Sequence, residues 1–429
     1  MRIRHSVLLP VTAVAALSLA ACSGTSPNEP GPDGKASGDV TIVSWRYADP
    51  SAIGQLHSQL VEDFNASQDA ITVTAQPVPY PDVTTTLINS VLSGSVPEMS
   101  AISPGTLAST AEYLEPLDEY WEAEGPDFAD AFTESSKALA TYDGHIYGIV
   151  IETSTTDGMY YNKGVLAEAG VDPEQAVSSW DAFTAALEKI KAIGKTPMIF
   201  EGKDASRMDR HWSWYVAGGA DLSDPDTYIE QMCSADSEKT FEFLSDLYLD
   251  GLTPNPAAIG YEEATRQFAA GNVGFYTDGP WGPTTYAAYD DAIADQLGYT
   301  HLPPKTEGGP QGAAQDGYLM VIPKGSKNPA AAWEFMKYMA SPEAQVREAE
   351  TGNLPTLKEV NEAPEVADDP VLAHFADLMT QWGYPRPRAS WMDEFKQDFI
   401  TAYQAAVTGQ KDPATAHADV CAQVADLAG

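Results

Sequence analysis

Residues 40–75 constrain the fold of this chain more than any other stretch. Val40-Thr41-Ile42-Val43-Ser44-Trp45 is dense in β-branched residues and predicts a buried strand. Ile53, Leu56, Leu60 and Phe64 then recur at helical spacing, which makes one face of a helix apolar. Ile71, Val73 and Ala75 alternate as a second strand. Strand, helix and strand in that order form a β-α-β unit, which predicts a parallel sheet because the crossover returns the chain in the same direction. The loop Arg46–Pro50 sits at the carboxyl end of the first strand, where open α/β sheets take ligands. It carries Tyr47 and Asp49.

Strands and helices go on alternating to about residue 340. The helix with Val83, Leu87, Ile88 and Val91 stops at Gly94. Tyr142 to Ile151 predicts a hairpin that turns on Asp143-Gly144. Ser179 is a good N-cap for a helix that buries Trp180, Phe183, Leu187 and Ile190. Further apolar faces follow around Trp333 and Met336, and around Phe395 and Phe399. At 429 residues the chain is too long for one ordinary core, so two α/β domains are expected.

The N-terminus reads as an address. Arg2 and Arg4 precede an apolar run from Val7 to Leu19, too short to anchor as a bilayer span. The run ends in Leu19-Ala20-Ala21-Cys22, which resembles a bacterial lipobox. That resemblance implies a signal peptide over 1–21 and lipidation, including palmitate-like acyl chains, of Cys22. Ser23 to Gly38 has no large apolar residue, so 22–38 is expected to be a flexible tether. The expected location is extracytoplasmic, held at the cell membrane by the lipid on Cys22.

Composition removes several functions. With 24 basic and 62 acidic residues the net charge is −38, which repels nucleic acid and anionic lipid. Charge of this kind also simply maintains solubility. There is no His-Glu-x-x-His or Cys-x-x-Cys, so no metal site is expected, and no cofactor. Gly-x-Ser-x-Gly is absent too. Gly194-Lys195-Thr196 is not a phosphate loop, because Lys189 stands where that motif needs Gly. Cys233 and Cys421 are either a disulfide, which export permits, or two buried thiols.

What remains is a set of aromatics where secondary structure breaks: Tyr47, Trp212, Trp214, Trp281, Tyr318 and Trp391. The clearest is Phe275-Tyr276-Thr277-Asp278-Gly279-Pro280-Trp281-Gly282, an apolar strand stopped by Gly-Pro with an indole just past the stop. A rigid ring beside a carboxylate suits a sugar, whose apolar face stacks while its hydroxyls bond the acid. Each ring taken singly suits a core better than a ligand site.

Several blocks together resemble the extracellular solute-binding proteins of ABC importers, in the branch that includes maltose-binding protein. Thr41–Trp45 is similar to the family's first strand. Leu92-Ser93-Gly94-Ser95-Val96-Pro97-Glu98 is similar to its Ser-Gly-x-x-Pro-Asp segment, with Glu98 for Asp. Asp143-Gly144-His145-Ile146-Tyr147-Gly148 and Tyr161-Asn162-Lys163 resemble its Gly-Lys-x-Tyr-Gly and Tyr-Asn-Lys block, with His145 for Lys and Val150 where Pro is frequent. Phe268 to Trp281, Ser326-Lys327 and Ser341-Pro342-Glu343-Ala344-Gln345 resemble later blocks.

The resemblance implies a two-lobed α/β fold with hinge strands and ligand held between the lobes. By analogy the first lobe is 39–150 plus 300–352 and the second 151–299 plus 353–429. The crossings then fall near Ile149–Thr153, Gly298–Pro304 and Thr351–Thr356. Cys233 and Cys421 would both lie in the second lobe, which favours the disulfide. The implied ligand contacts are Asp49, Glu152, Thr153, Trp212, Trp281 and Trp391. Tyr47 and Tyr318 join them as aromatics at breaks, and Asp278 and Arg388 from charge and position. The implied function is capture of a sugar or oligosaccharide for an ABC permease, by a monomer without catalysis. The competing expectations are an exported glycosidase using two carboxylates, and a binder of a peptide, polyamine or other non-sugar solute.

Overall fold

The computed structural model describes residues 40–47, 52–79 and 82–427. Asp49 and everything through Gly38, Cys22 included, lie outside the described residues.

The β-α-β unit forms as expected. Strands β1 (Val40–Tyr47) and β2 (Ile71–Val78) pair in parallel, with Val40 opposite Ile71 and Tyr47 opposite Val78. The helix Ala52–Ser67 crosses between them and buries Leu56, Leu60, Val61 and Phe64. β3 (Met99–Ile102) joins the other edge of β1, again in parallel. β4 (Thr141–Tyr142) and β5 (His145–Ile146) make the hairpin. Its turn has Asp143 at φ 48° and Gly144 at φ 80°, the left-handed pair that Asp-Gly supplies at least cost.

The remaining strands are β6 (Gly148–Thr155), β7 (Gly158–Asn162), β8 (Thr196–Ile199), β9 (Val273–Asp278), β10 (Leu297–Thr300), β11 (Ala313–Val321), β12 (Leu354–Pro355) and β13 (Gly383–Pro385). Among the described residues they build a seven-stranded sheet, ordered β12-β6-β11-β3-β1-β2 with β13 beside β11, and a four-stranded sheet, ordered β10-β7-β9-β8. Both are mixed. β11 runs antiparallel to β3 and β6, and β7 antiparallel to β9 and β10. Helices cover both faces of the large sheet, so every residue of β6 is buried.

The chain leaves the large sheet between Thr155 and Gly158 and returns between Thr300 and Ala313. Ile149–Thr153 lies inside β6, and Gly298–Pro304 begins within β10, so the sheet changes a few residues beyond each expected crossing. At the third expected crossing, Thr351–Thr356, the chain is paired with the large sheet. Leu354 and Pro355 pair with Thr153 and Glu152 in the large sheet, and the helix Pro370–Trp382 leads into β13, which joins the same sheet. Leu354, Leu357, Val360, Leu372 and Phe375 belong to a core that runs from the large sheet to Tyr160 and Tyr276 of the small one, whereas Phe395, Phe399 and Tyr403 are buried with Phe183 and Phe241 in a second core. Pro385 is the last residue paired into the large sheet. Strand pairing shows this, and local sequence spacing does not reveal it.

Cys233 and Cys421 are bonded, with Cα atoms 5.6 Å apart. The bond pins the closing helix Pro413–Leu427 to the segment after the helix Tyr228–Met232.

Candidate ligand-binding site

Strand alternation sorts the residues of β6 and β11. Tyr318 stands opposite Glu152, and Asp316 opposite Ser154, so these side chains share one face of the large sheet. On that face the Tyr47 ring meets Tyr318 edge-on at 4.9 Å, and the His57 ring meets it at 4.8 Å. His57 Nε2 lies 2.6 Å from Glu348 Oε1. Glu152 is only 7% exposed, and its Oε2 meets no hydrogen-bond partner among the described residues. Burial, with Glu348 and then Asp316 close by, pushes the Glu152 carboxyl well above the usual carboxylate range. Thr153 faces the other way. Its hydroxyl donates to the Leu354 carbonyl at 3.5 Å, and it lines a separate cavity of about 450 Å³ with Gln315, Pro355 and Met379.

A second group stands at the end of β9. Asp278 is fully buried and its carboxylate accepts from Arg210 Nη2 at 3.1 Å, Gly279 N at 2.9 Å and the Tyr286 hydroxyl at 2.9 Å. Burial raises its pKa, and Arg210 opposes that rise. Arg210 also donates to the Thr156 carbonyl at 2.9 Å and lies 3.7 Å from Glu201. Its guanidinium rests 5.4 Å over the Tyr261 ring, and the Tyr261 hydroxyl accepts from Trp281 Nε1 at 2.8 Å. The indole folds back over Gly279, where an added Cβ would come within 2.4 Å of the ring. Trp281 is the N-cap residue of the helix Gly282–Ala287 and is half-buried. Its backbone abuts Gly352, and Thr284 donates to the Thr351 carbonyl at 3.0 Å. The segment from Glu348 to Pro355 thus joins the two groups.

A third group ties the two sheets together. Arg386, just past β13, bonds Asp209 at 3.1 Å and Asp316 at 2.5 Å. Ser103 donates to Asp316 at 2.8 Å, and Trp212 Nε1 donates to Asp209 at 3.3 Å.

The residues singled out from the sequence therefore separate. Tyr47, Glu152 and Tyr318 come together. Trp281 and Asp278 stand in the adjoining group, linked through Tyr261 and Arg210. Asp278, expected as an acceptor for ligand hydroxyls, is sealed and already takes three donors. Trp212 is fully buried in the core and supports Asp209. Arg388 caps the helix Glu134–Ala140, donating to the Leu139 carbonyl at 3.2 Å, because carbonyls at a helix end lack partners. Trp391 packs edge-on against Phe395 at 6.0 Å. Sequence reasoning missed His57, Asp209, Arg210, Tyr261, Asp316, Glu348 and Arg386. Only Asp316 left a local signal, two residues from Tyr318 on one strand and so on the same face.

Residues 59–374 match the family described as bacterial extracellular solute-binding proteins. The chain belongs to that family. Among relatives of this solute-binding protein is an arabinooligosaccharide-binding protein of Bacillus subtilis, 24% identical over 317 residues, 70% of this chain and 69% of that one. A maltotriose-binding protein of Pyrococcus abyssi is 22% identical over 374 residues, 83% of this chain and 75% of that one. A diacetylchitobiose-binding protein of Streptomyces coelicolor is 25% identical over 355 residues, 76% and 75% of the two chains. The GacH receptor of Streptomyces glaucescens has the same fold, with a TM-score of 0.81 at 23% identity over 91% of this chain and 98% of that one. The two-lobed α/β architecture expected from the sequence is the fold of this solute-binding protein. No helix among the described residues is long and apolar enough to cross a membrane.

Proposed function

We propose that this solute-binding protein captures a sugar or oligosaccharide between its two lobes and delivers it to the permease of an ABC importer, without catalysis. One observation carries the reading. Aromatic rings and acids gather where the two sheets adjoin, with Tyr47, Tyr318 and Glu152 on one side and Trp281 on the other. Rings supply a stacking platform and a buried carboxyl supplies hydrogen bonds, which is the pairing a pyranose needs. Relatives named for arabinooligosaccharide, maltotriose and diacetylchitobiose point to the same ligand class. One lobe is built on the large sheet and the other on the small sheet with the closing helices, and closure between them signals occupancy. The protein acts as an extracytoplasmic monomer tethered through lipid on Cys22.

A thermal-shift screen against mono- and oligosaccharides, a peptide mixture and polyamines tests the ligand class. A ligand present at 100 times its Kd stabilises by about 2.7 kcal/mol. A shift with a peptide and none with any sugar would sink the sugar reading. Progressive cleavage of the oligosaccharide would sink the non-catalytic one. Mass spectrometry of the mature N-terminus tests the anchor: an unmodified Cys22, or cleavage elsewhere, refutes it.

A further inference from the structure

Among the described residues, the charges that act directly on Glu152 are both acids, Glu348 and then Asp316. Glu152 and Asp316 share one face of the large sheet, Glu348 stands close to Glu152, and Asp209 meets Asp316 through Arg386. Against them stand Arg386, bonded to both Asp209 and Asp316, Arg388, whose charge also acts on Asp316, Lys396 at 3.8 Å from Asp209, and His57 on Glu348. Behind them Arg210 faces both Asp278 and Glu201, and Asp157 is held by the Ser213 hydroxyl at 2.6 Å. Among the described residues these groups comprise seven acids and five bases. The excess falls on Glu152, whose Oε2 meets no donor and which forms no ion pair among the described residues. Glu348 Oε2, fully buried beside it, lacks a donor as well.

We propose that the ligand carries a cationic nitrogen and presents it to Glu152, so that the preferred sugar is an amino sugar with a free amine. The inference rests on the sugar-capture reading above and deepens it. A hydroxyl brings no charge, so it bonds Glu152 as the neutral acid and does nothing to offset the buried acids beside it. An ammonium brings both the charge and three N–H donors. The rings of Tyr318 and Tyr47 stand at the same place, and an aromatic face attracts a cation. In the free protein, burial holds the Glu152 carboxyl protonated well above the usual range. Docking of an ammonium lets it ionise, and its proton passes to solvent.

The test compares one sugar backbone with and without the charge. Calorimetry on the purified protein at about pH 6, where an amine is protonated, measures fully deacetylated chitooligosaccharides against their N-acetylated counterparts. The expected result is binding of the amine form at least about tenfold tighter, with net proton release, read from heats in buffers of different ionisation enthalpy. Glu152→Gln removes the preference and the proton release. If that variant does not fold, the preference and proton release of the unaltered protein decide the matter. Equal or tighter binding of acetylated sugars, or a preference that survives Glu152→Gln, overturns the inference and leaves sugar capture standing. Failure of every amine to bind overturns it too. A polyamine that binds through Glu152 while no sugar binds supports the inference and removes the sugar reading instead.

Discussion

Arg386→Met is the most informative single change to the framework of the site. Arg386 is 3% exposed and joins Asp209, which precedes a helix packed on the small-sheet side, to Asp316 on β11 of the large sheet. Met matches the aliphatic stem, so the change removes the charge and leaves two buried carboxylates without it. Breaking a buried pair from one side costs about 3–5 kcal/mol. A folded body of roughly 390 residues unfolds with an entropy of about 0.8 kcal/mol/K, so the melting temperature should fall by about 4–6 °C near neutral pH. The effect should also depend on pH in a stated direction. Burial raises the Asp316 pKa and Arg386 holds it down. Without Arg386 the folded-state pKa climbs further above the unfolded value, so the folded variant binds more protons and its stability falls as pH rises. Below that folded pKa the carboxyl is neutral and the penalty disappears. Calorimetric scans of both proteins between about pH 4 and pH 7 should show the gap widening with pH. A gap under about 1 °C at neutral pH, or one of equal size at acid pH, refutes the clamp.

Tyr261→Phe removes the acceptor for the Trp281 indole N–H, worth about 1 kcal/mol. If Trp281 stacks on ligand, affinity falls several-fold with little change in melting temperature; the reverse pattern, measured on the same sample, makes the indole a packing element. Gly279→Ala drives a Cβ into that indole and should destabilise by about 1–3 kcal/mol, visible as a lower urea midpoint; an unchanged midpoint would mean the ring moves freely. The Cys233–Cys421 bond closes a loop of 188 residues, so the double Cys→Ala variant should lose up to about 5 kcal/mol, with unchanged stability as the contrary result. His211 is buried among Phe200, Phe399 and Tyr403, and burial lowers its pKa to about 4. Its contribution is complete above its unfolded pKa and is lost as pH falls through the folded one, a swing of roughly 3 kcal/mol. Urea melts of His211→Gln should therefore be flatter than the parent's between about pH 7 and pH 4, and parallel slopes would count against this.

The sequence determined what repeats locally. Helical spacing in Ala52–Ser67, β-branched density in Val40–Tyr47, the Asp143-Gly144 turn and the Ser179 cap each act through neighbours a few residues away. Those features sufficed for a β-α-β start, for two α/β bodies and, with the ordered blocks, for the family. Periodicity says which face of an element is apolar, but not what lies against that face. His57 meets Glu348 across 291 residues, Ser103 meets Asp316 across 213, and Arg386 meets Asp209 across 177. These pairings exist only once the strand order is set. The same limit divides the tryptophans. Trp212 and Trp281 both stand at breaks with polar neighbours, yet one is sealed under the helix Met392–Val407 beside Phe395, and the other folds over Gly279 beside the segment that joins the two sheets. Only burial, which sums contacts from distant parts of the chain, distinguishes a core ring from one that stands where a ligand is held.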